Sequence, residues 1–295
     1  MARTAELSQK AYSPPEGFAA TMTALQAVLM AILQGITELF PISSLGHAVI
    51  APALLRWNVD QNAEGFLPFL AVMHLGTAIA LLGYFWRDWL GFGRSVLMFR
   101  DPAGADDRRL FWRVVVATIP AVILGFLFEK MLKRGFGAPM LAAGFLIVNG
   151  VMLFVAERLK RRATKPLNTL TWIDAVVIGF WQCLALIPGL SRSGATMAGG
   201  YLAGLNHEDA ARFSFLTATP IIFGAVALEA PKLMHRGAGF GSTSILAGVV
   251  AGITALISIF LLMRWFKGHE AKGFDPFAIY CVLAGLASLV LLTLH

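Results

Sequence analysis

The sequence predicts an all-α integral membrane protein. Of its 295 residues, 57% are hydrophobic and only 14% are charged, whereas a soluble protein carries about 25% charged residues. The mean hydropathy is +0.71, and the apolar residues are grouped in runs of about 20, the length that an α-helix needs to cross a bilayer. This composition leaves too little polar surface for a water-soluble body. It also excludes a disordered chain and a disulfide-rich scaffold.

Six apolar runs are long enough to span the membrane, three in each half of the chain. They lie at about 67–86, 111–131, 138–156, 213–230, 245–265 and 276–294. Two further apolar regions, at 17–57 and 172–205, are each interrupted by a polar turn. Their second arms have about ten residues, which is too few to cross. Each region is therefore predicted to be a re-entrant helical hairpin whose turn faces protein or a water-filled cavity.

The two halves share the same order of elements, a hairpin followed by three spans. Their turns also match in sequence, since QGITELFPISSLG resembles QCLALIPGLSRSG. Because three is an odd number of spans, the second half must be inverted relative to the first. We therefore expect two inverted-topology repeats that build a site near the midplane, where the broken helices meet. This interpretation divides the chain into a polar tail at 1–16, repeat 1 at 17–156, a basic linker at 157–171 and repeat 2 at 172–295.

The distribution of basic residues predicts the orientation. Most of the 24 Lys and Arg residues fall in loops on one side of this path, and such loops are normally cytoplasmic. Both termini and the polar tail are then extracytoplasmic, with the basic linker in the cytoplasm. The net charge of +7 is explained by this loop bias, so we expect the bilayer, and no nucleic acid, as the partner.

Two ionisable residues are predicted to lie at membrane depth, Glu38 in the first hairpin and Arg192 in the second. Such residues are costly in a bilayer and usually functional. Gln34 lies four residues before Glu38, so the two share a helix face. The alternative is a purely structural ion pair between Glu38 and Arg192 that locks the two repeats together.

The two turns carry further polar side chains that suit phosphate chemistry. They are Ser43, Ser44 and His47 in the first hairpin, and Ser191, Ser193, Gly194 and Thr196 around Arg192 in the second. Helix N-termini bind anions, and a guanidinium grips phosphate oxygens in a bidentate fork. A carboxylate, a serine and a histidine add nucleophilic and acid–base capacity. The alternative for Ser43, Ser191 and Ser193 is a simple N-cap.

The remaining histidines are predicted to lie outside this site. His74 falls in the middle of a span and is expected to be a buried histidine whose polar atoms are satisfied locally. The others lie in predicted loops or at the terminus and are expected to be solvated: His207, His235, His269 and His295.

The motifs QGITELFPISSLGH and PGLSRSGAT resemble the two signature motifs of the bacterial undecaprenyl-diphosphate phosphatase family, often called bacitracin-resistance proteins. The resemblance extends from about residue 22 to the end of the chain. It implies a hydrolase of the cytoplasmic (inner) membrane that removes the terminal phosphate of undecaprenyl diphosphate and so recycles the lipid carrier for peptidoglycan synthesis. It also implies a divalent cation, Mg²⁺ or Ca²⁺, and a site that opens to the outer face.

The resemblance assigns roles by position in the motifs. The catalytic residues would be Glu38, Ser44, His47 and Arg192, and the residues that bind the diphosphate would be Gln34, Ser43, Ser191, Arg192, Ser193, Gly194 and Thr196. A metal ion would be held by Glu38, together with Gln34. Many family members carry Glu at the position of Gln34, and an amide brings no charge to a metal. Glu38 and the phosphates of the substrate are therefore the expected cation ligands.

Three alternatives stay open at this point. The nucleophile could be Ser44, His47 or a water molecule. The function could be transport or flipping of polyprenyl phosphate or another anion, since inverted repeats with broken helices are typical of transporters. The oligomeric state could be a monomer or a homodimer.

Overall fold

The computed structural model describes residues 22–59, 65–128, 138–159, 164–235, 242–269 and 272–294, and the side chains of all of these except 231–235. In these ranges the chain is helical and forms no β-strand. The helices are α1 (Ala24–Thr37), α2 (Ser44–Leu54), α3 (Phe66–Tyr84), α4 (Trp86–Leu97), α5 (Ala105–Leu127), α6 (Pro139–Leu159), α7 (Trp172–Gln182), α8 (Arg192–Leu202), α9 (His207–His235), α10 (Ser242–Gly268) and α11 (Asp275–Leu294).

Six of the helices in these ranges are long and apolar enough to cross a membrane. They are α3, α5, α6, α9, α10 and α11. By length and composition, they confirm the six full spans predicted from the sequence. The chain is thus a multi-pass membrane protein.

Four shorter helices form two pairs, α1 with α2 and α7 with α8, in the regions predicted to be hairpins. The longest of the four, α1, has 14 residues, which corresponds to about 21 Å at 1.5 Å per residue and is less than the hydrocarbon thickness. The first helix of each pair begins with a capping box, formed by Thr23 with Gln26 and by Thr171 with Asp174. The two pairs therefore begin with the same local chemistry.

Helix α4 is an element to which the sequence analysis assigned no structure. It follows the first span, and only Phe92 and Ser95 are buried along its 12 residues. Leu90 and Leu97 are exposed instead. Its charged residues lower the average hydropathy, so a search for spans passes over it, although an amphipathic helix suits a membrane interface.

Helices of one half of the chain pack against helices of the other half. Helix α1 packs against α10, and helix α7 packs against α5. Helix α3 also lies on α10, where a Cβ atom at Gly76 would be 2.0 Å from the carbonyl oxygen of Gly248. Small residues at such a crossing let helix backbones approach closely. The first helix of each short pair is thereby packed against a span of the opposite half.

One histidine prediction is wrong. His207 was expected to be solvated, but it is only 2% exposed and its Nε2 lies 2.9 Å from Glu157 Oε2. Glu157 also accepts hydrogen bonds from Tyr201 and from the backbone N–H groups of Lys272 and Phe274. The sequence signal was misleading because His207 follows a predicted loop, whereas in the structure it opens α9 inside this network. His269 is exposed as expected, and the side chains of His235 and His295 lie outside those that the structure describes.

Candidate active site

The turns of the two short-helix pairs meet, and Asn149 of α6 bridges them. The Nδ2 atom of Asn149 donates to Pro41 O at 2.9 Å, and its Oδ1 accepts from Ser191 N at 3.0 Å. The Ser193 hydroxyl donates to Phe40 O at 2.9 Å. One buried side chain therefore satisfies a carbonyl of the first turn and an N–H of the second. The sequence analysis did not select Asn149, because an asparagine in a span has no charge to mark it.

Two glycines make this close approach of the turns possible. A Cβ atom at Gly194 would lie 3.2 Å from Pro41 O and 3.1 Å from Asn149 Oδ1. A Cβ atom at Gly46 would lie 3.1 Å from the Cα atom of Gly189, which itself has a φ of +99°. Larger side chains here would separate the turns.

The serines that precede α2 and α8 act as N-caps. The Ser43 hydroxyl accepts from Gly46 N at 3.2 Å, and the Ser191 hydroxyl accepts from Gly194 N at 3.0 Å. Ser43 is a non-glycine residue with a φ of 71°, and such strain tends to collect at functional sites. Ser43 and Ser191 are therefore N-caps in the structure, as the alternative interpretation expected. Both helix N-termini lie where the two turns meet, a contact that is called the joint below.

Glu38 is the centre of the site and receives four donors. Its Oε1 accepts from Arg192 Nη2 at 2.9 Å. Its Oε2 accepts from the Ser44 hydroxyl at 2.6 Å and from Gln34 Nε2 at 3.3 Å, and His74 Nε2 lies 3.3 Å from the same oxygen. The carboxylate is only 6% exposed. Residues from α1, α2, α3 and α8 are thus gathered on one side chain.

Arg192 is fixed from two directions. Besides its ion pair with Glu38, its Nη1 donates to Ser214 O of α9 at 3.3 Å. Thr196 donates to Arg192 O at 2.5 Å, so its hydroxyl stabilises the first turn of α8. The ion pair between Glu38 and Arg192, which was the structural alternative, is present across the two halves. Its carboxylate also contacts a serine and a histidine.

Gln34 leaves one polar atom without a partner. Since the carboxylate of Glu38 only accepts hydrogen bonds, the amide of Gln34 must present its Nε2 to it. Its Oε1 is then buried and has no hydrogen-bond partner among the described residues. A buried lone acceptor at a site of this kind needs an explanation, such as a bound ion or a water molecule.

His47 is oriented by residues other than Ser44. Its Nδ1 donates to Ser43 O at 2.6 Å, and its Nε2 lies 2.8 Å from the hydroxyl of Tyr280. The ring also stacks on Tyr280, with 5.7 Å between centroids. Because a carbonyl only accepts, Nδ1 carries the proton in the neutral ring and Nε2 accepts from Tyr280. The sequence analysis missed Tyr280, which lies 233 residues further along the chain.

His74 belongs to the site, although the sequence analysis placed it outside. Its Nδ1 contacts Leu70 O at 2.8 Å, which is the local satisfaction that was expected, but its Nε2 faces Glu38. A usable signal was present in the sequence, since an ionisable residue inside a span is functional by default. That rule was applied to Glu38 and Arg192 but not to His74.

A metal ion held by protein ligands alone does not suit this site. Among the described residues, no three His, Cys, Asp or Glu side chains are grouped so that they could hold a metal. Both oxygens of Glu38 already accept hydrogen bonds, one of them from a guanidinium. Beside Glu38, Gln34 Oε1 is a buried oxygen without a hydrogen-bond partner among the described residues. The donor set suits a cation that brings phosphate oxygens with it, which Mg²⁺ commonly does.

Comparison with known proteins identifies relatives over most of the chain. The family model of the bacitracin resistance protein BacA matches residues 27–287. A protein of Acidiphilium cryptum named undecaprenyl-diphosphatase is 51% identical over 278 residues, which cover 92% of this chain and 99% of the relative. Proteins with the same name from Granulibacter bethesdensis and Gluconobacter oxydans are 50% and 52% identical, over 91% and 90% of this chain and 97% of each relative.

Proposed function

Since this chain belongs to the bacitracin resistance protein BacA family, we propose that it is an undecaprenyl-diphosphatase. It removes the terminal phosphate of undecaprenyl diphosphate and leaves undecaprenyl phosphate and inorganic phosphate. The observation that carries the proposal is the cluster of the buried Glu38 with the half-buried Ser44 and Arg192, in which a hydroxyl and a guanidinium share one carboxylate. A transporter needs a binding site but no such oriented hydroxyl.

The proposed fold that holds this site consists of two inverted repeats, each with a re-entrant hairpin. Three features support them. The turn residues Ser43 and Gly46 have capping counterparts in Ser191 and Gly194, the capping boxes match, and each first short helix packs on a span of the opposite half. In such a fold the broken helices meet at the midplane, where the bundle encloses their turns.

The enzyme lies in the cytoplasmic membrane with both termini and the entrance to the site on the extracytoplasmic side. The positive-inside rule supports this orientation, because the loops on the opposite side carry most of the basic residues. The polyprenyl chain stays in the bilayer beside the spans, and only the diphosphate reaches the cluster. Lifting a charged group this far into the membrane requires the counter-charge that Arg192 provides.

Catalysis consists mainly of positioning and charge stabilisation, as in other phosphoryl transfers. Arg192 and the N-termini of α2 and α8 hold the phosphate oxygens. Glu38 accepts the Ser44 hydrogen bond and so turns a lone pair of that oxygen toward the terminal phosphorus. Ser44 then attacks this phosphorus or orients the water that does, and the nucleophile's proton passes to Glu38. The bond from the terminal phosphorus to the bridging oxygen breaks, and undecaprenyl phosphate leaves. Where Ser44 is the nucleophile, a water molecule then releases inorganic phosphate from it. His47, held by Ser43 and Tyr280, is the nearby acid–base group.

Gln34 and Glu38 would hold a divalent cation, Mg²⁺ or Ca²⁺, beside the diphosphate. Gln34 Oε1 is a neutral oxygen with no existing hydrogen bond to break, and Glu38 is the adjacent carboxylate. The cation would neutralise charge on the phosphate oxygens.

The test is phosphate release from undecaprenyl diphosphate by the purified full-length protein in detergent, with and without EDTA. We expect turnover by the wild type and a loss of at least about 100-fold for Arg192→Ala, because a preorganised donor to the transition state is removed. Near-wild-type turnover by this variant would refute the assignment of this cluster as the active site. Flipping of the lipid in liposomes by a wild type that releases no phosphate would favour the transporter instead.

A further inference from the structure

His74 lies at the cluster on a helix that belongs to neither turn. Its Nδ1 is 2.8 Å from Leu70 O and its Nε2 is 3.3 Å from Glu38 Oε2. The side chain is 24% exposed, while that of its partner Glu38 is 6% exposed. His74 therefore contacts the buried carboxylate and keeps about a quarter of its own side chain exposed.

The hydrogen bonds around the ring determine where its protons lie. Leu70 O is a carbonyl and can only accept, so Nδ1 carries a hydrogen. Glu38 Oε2 already accepts from Ser44 and Gln34. A bare nitrogen lone pair at 3.3 Å from that oxygen would be repelled, so Nε2 carries a hydrogen as well. The Nε2–H of His74 is then the third donor to this oxygen, beside those of Ser44 and Gln34.

We propose that His74 is a positioning residue that acts through Glu38. Its Nε2–H holds the carboxylate in the orientation that accepts the Ser44 hydroxyl. This inference rests on the proposed function. It adds a residue of α3 to a site that the sequence motifs confine to the two short-helix pairs.

Two substitutions test this positioning role. In His74→Ala the donor is lost, so kcat should fall about 10- to 100-fold. In His74→Gln an amide Nε2–H of similar reach replaces the ring donor, and we expect kcat to recover to within about threefold of the wild type.

A matched control is provided by His269. Its Nδ1 lies 2.9 Å from Trp265 O, four residues earlier, as that of His74 does from Leu70 O. His269 is exposed at the end of α10, so His269→Gln should leave kcat and KM unchanged. His74→Leu also lacks the donor and fills more of the space, so it keeps the kcat test available if His74→Ala does not fold.

Binding of inorganic pyrophosphate gives a readout that does not depend on turnover. We expect pyrophosphate to raise the Tm of the detergent-solubilised wild type, of His269→Gln and of His74→Gln alike. It should raise that of His74→Ala much less, because a Glu38 carboxylate that is no longer held can turn toward the anion and repel it. Wild-type kcat in His74→Ala, or a kcat in His74→Gln as low as in His74→Ala, would overturn the inference. If the wild type releases no phosphate, the proposed function fails, and the pyrophosphate shift still tests the role of His74.

Discussion

At the scale of single residues, the contacts of Glu38 and Gln34 explain how a site with one carboxylate can serve a reaction for which a cation is expected. Glu38 accepts hydrogen bonds from Arg192 at 2.9 Å and from Ser44 at 2.6 Å. Its negative charge is therefore already engaged by donors of the protein. The Nε2 atom of Gln34 donates a hydrogen bond to Glu38, and its Oε1 atom is buried without a hydrogen-bond partner. A cation at this site must rely on phosphate oxygens rather than on protein charge.

Replacing Gln34 with glutamate should therefore raise the affinity of the site for a divalent cation. Gln34→Glu places a second carboxylate beside Glu38, where the two side chains are now 3.3 Å apart. Like charges this close repel unless a cation lies between them, and added ligand charge strengthens cation binding. The concentration of Mg²⁺ or Ca²⁺ that gives half-maximal phosphate release should fall about tenfold, with less activity left in EDTA.

The control for this variant is Gln26→Glu, on the same helix. Gln26 is part of the capping box at the exposed start of α1, so the same change of charge occurs away from the cluster. Its cation requirement should equal that of the wild type. An unchanged requirement in Gln34→Glu would show that the cation does not bind next to this side chain.

At the scale of helices, the sequence was informative wherever the signal is local. Hydropathy located the six spans, and the turn residues marked the two interruptions. The sequence did not predict contacts between distant parts of the chain. Asn149 contacts Pro41 across 108 residues, and His47 contacts Tyr280 across 233 residues. Helix α4 was missed for another reason, because a search for apolar runs does not detect an amphipathic segment.

The joint between the two short-helix pairs depends on Asn149. In Asn149→Ala, Pro41 O loses its amide donor and keeps the long contact with Cys281 Sγ at 3.9 Å, and Ser191 N loses its acceptor, while both remain buried. Each such group costs roughly 1–3 kcal/mol, so we expect a fall in Tm of roughly 5 °C or more together with a loss of phosphate release. Thermal unfolding of the detergent-solubilised protein measures the first effect.

A matched substitution is Asn168→Ala, in the exposed segment before α7. It should change neither Tm nor turnover, because no hydrogen bond of the joint involves this side chain. If Asn149→Ala unfolded at the wild-type temperature and kept its activity, the two turns would have to be held together by other contacts.

At the scale of the whole molecule, the placement of the charges links topology to function. The cluster of Glu38, Arg192 and His74 lies where the two short-helix pairs meet, and a second buried carboxylate, Glu157, lies near the end of α6 in a separate network with His207. In the proposed orientation, the second network lies on the cytoplasmic side and ties α6, α8 and α9 together. The substrate then reaches the cluster from the opposite side, through the repeat that contains Glu38.

This orientation makes a prediction about two exposed asparagines, Asn58 after α2 and Asn168 before α7. In a background with Cys183 and Cys281 replaced by serine, Asn58→Cys should react with a membrane-impermeant maleimide added to intact spheroplasts, because it follows the hairpin that enters from outside. Asn168→Cys should react only after lysis, because it lies in the basic linker, which the positive-inside rule places in the cytoplasm. The reverse pattern would invert the topology and place the entrance to the site on the cytoplasmic face. Labelling of both positions in intact spheroplasts would contradict the odd number of spans between them, and with it the inverted repeat.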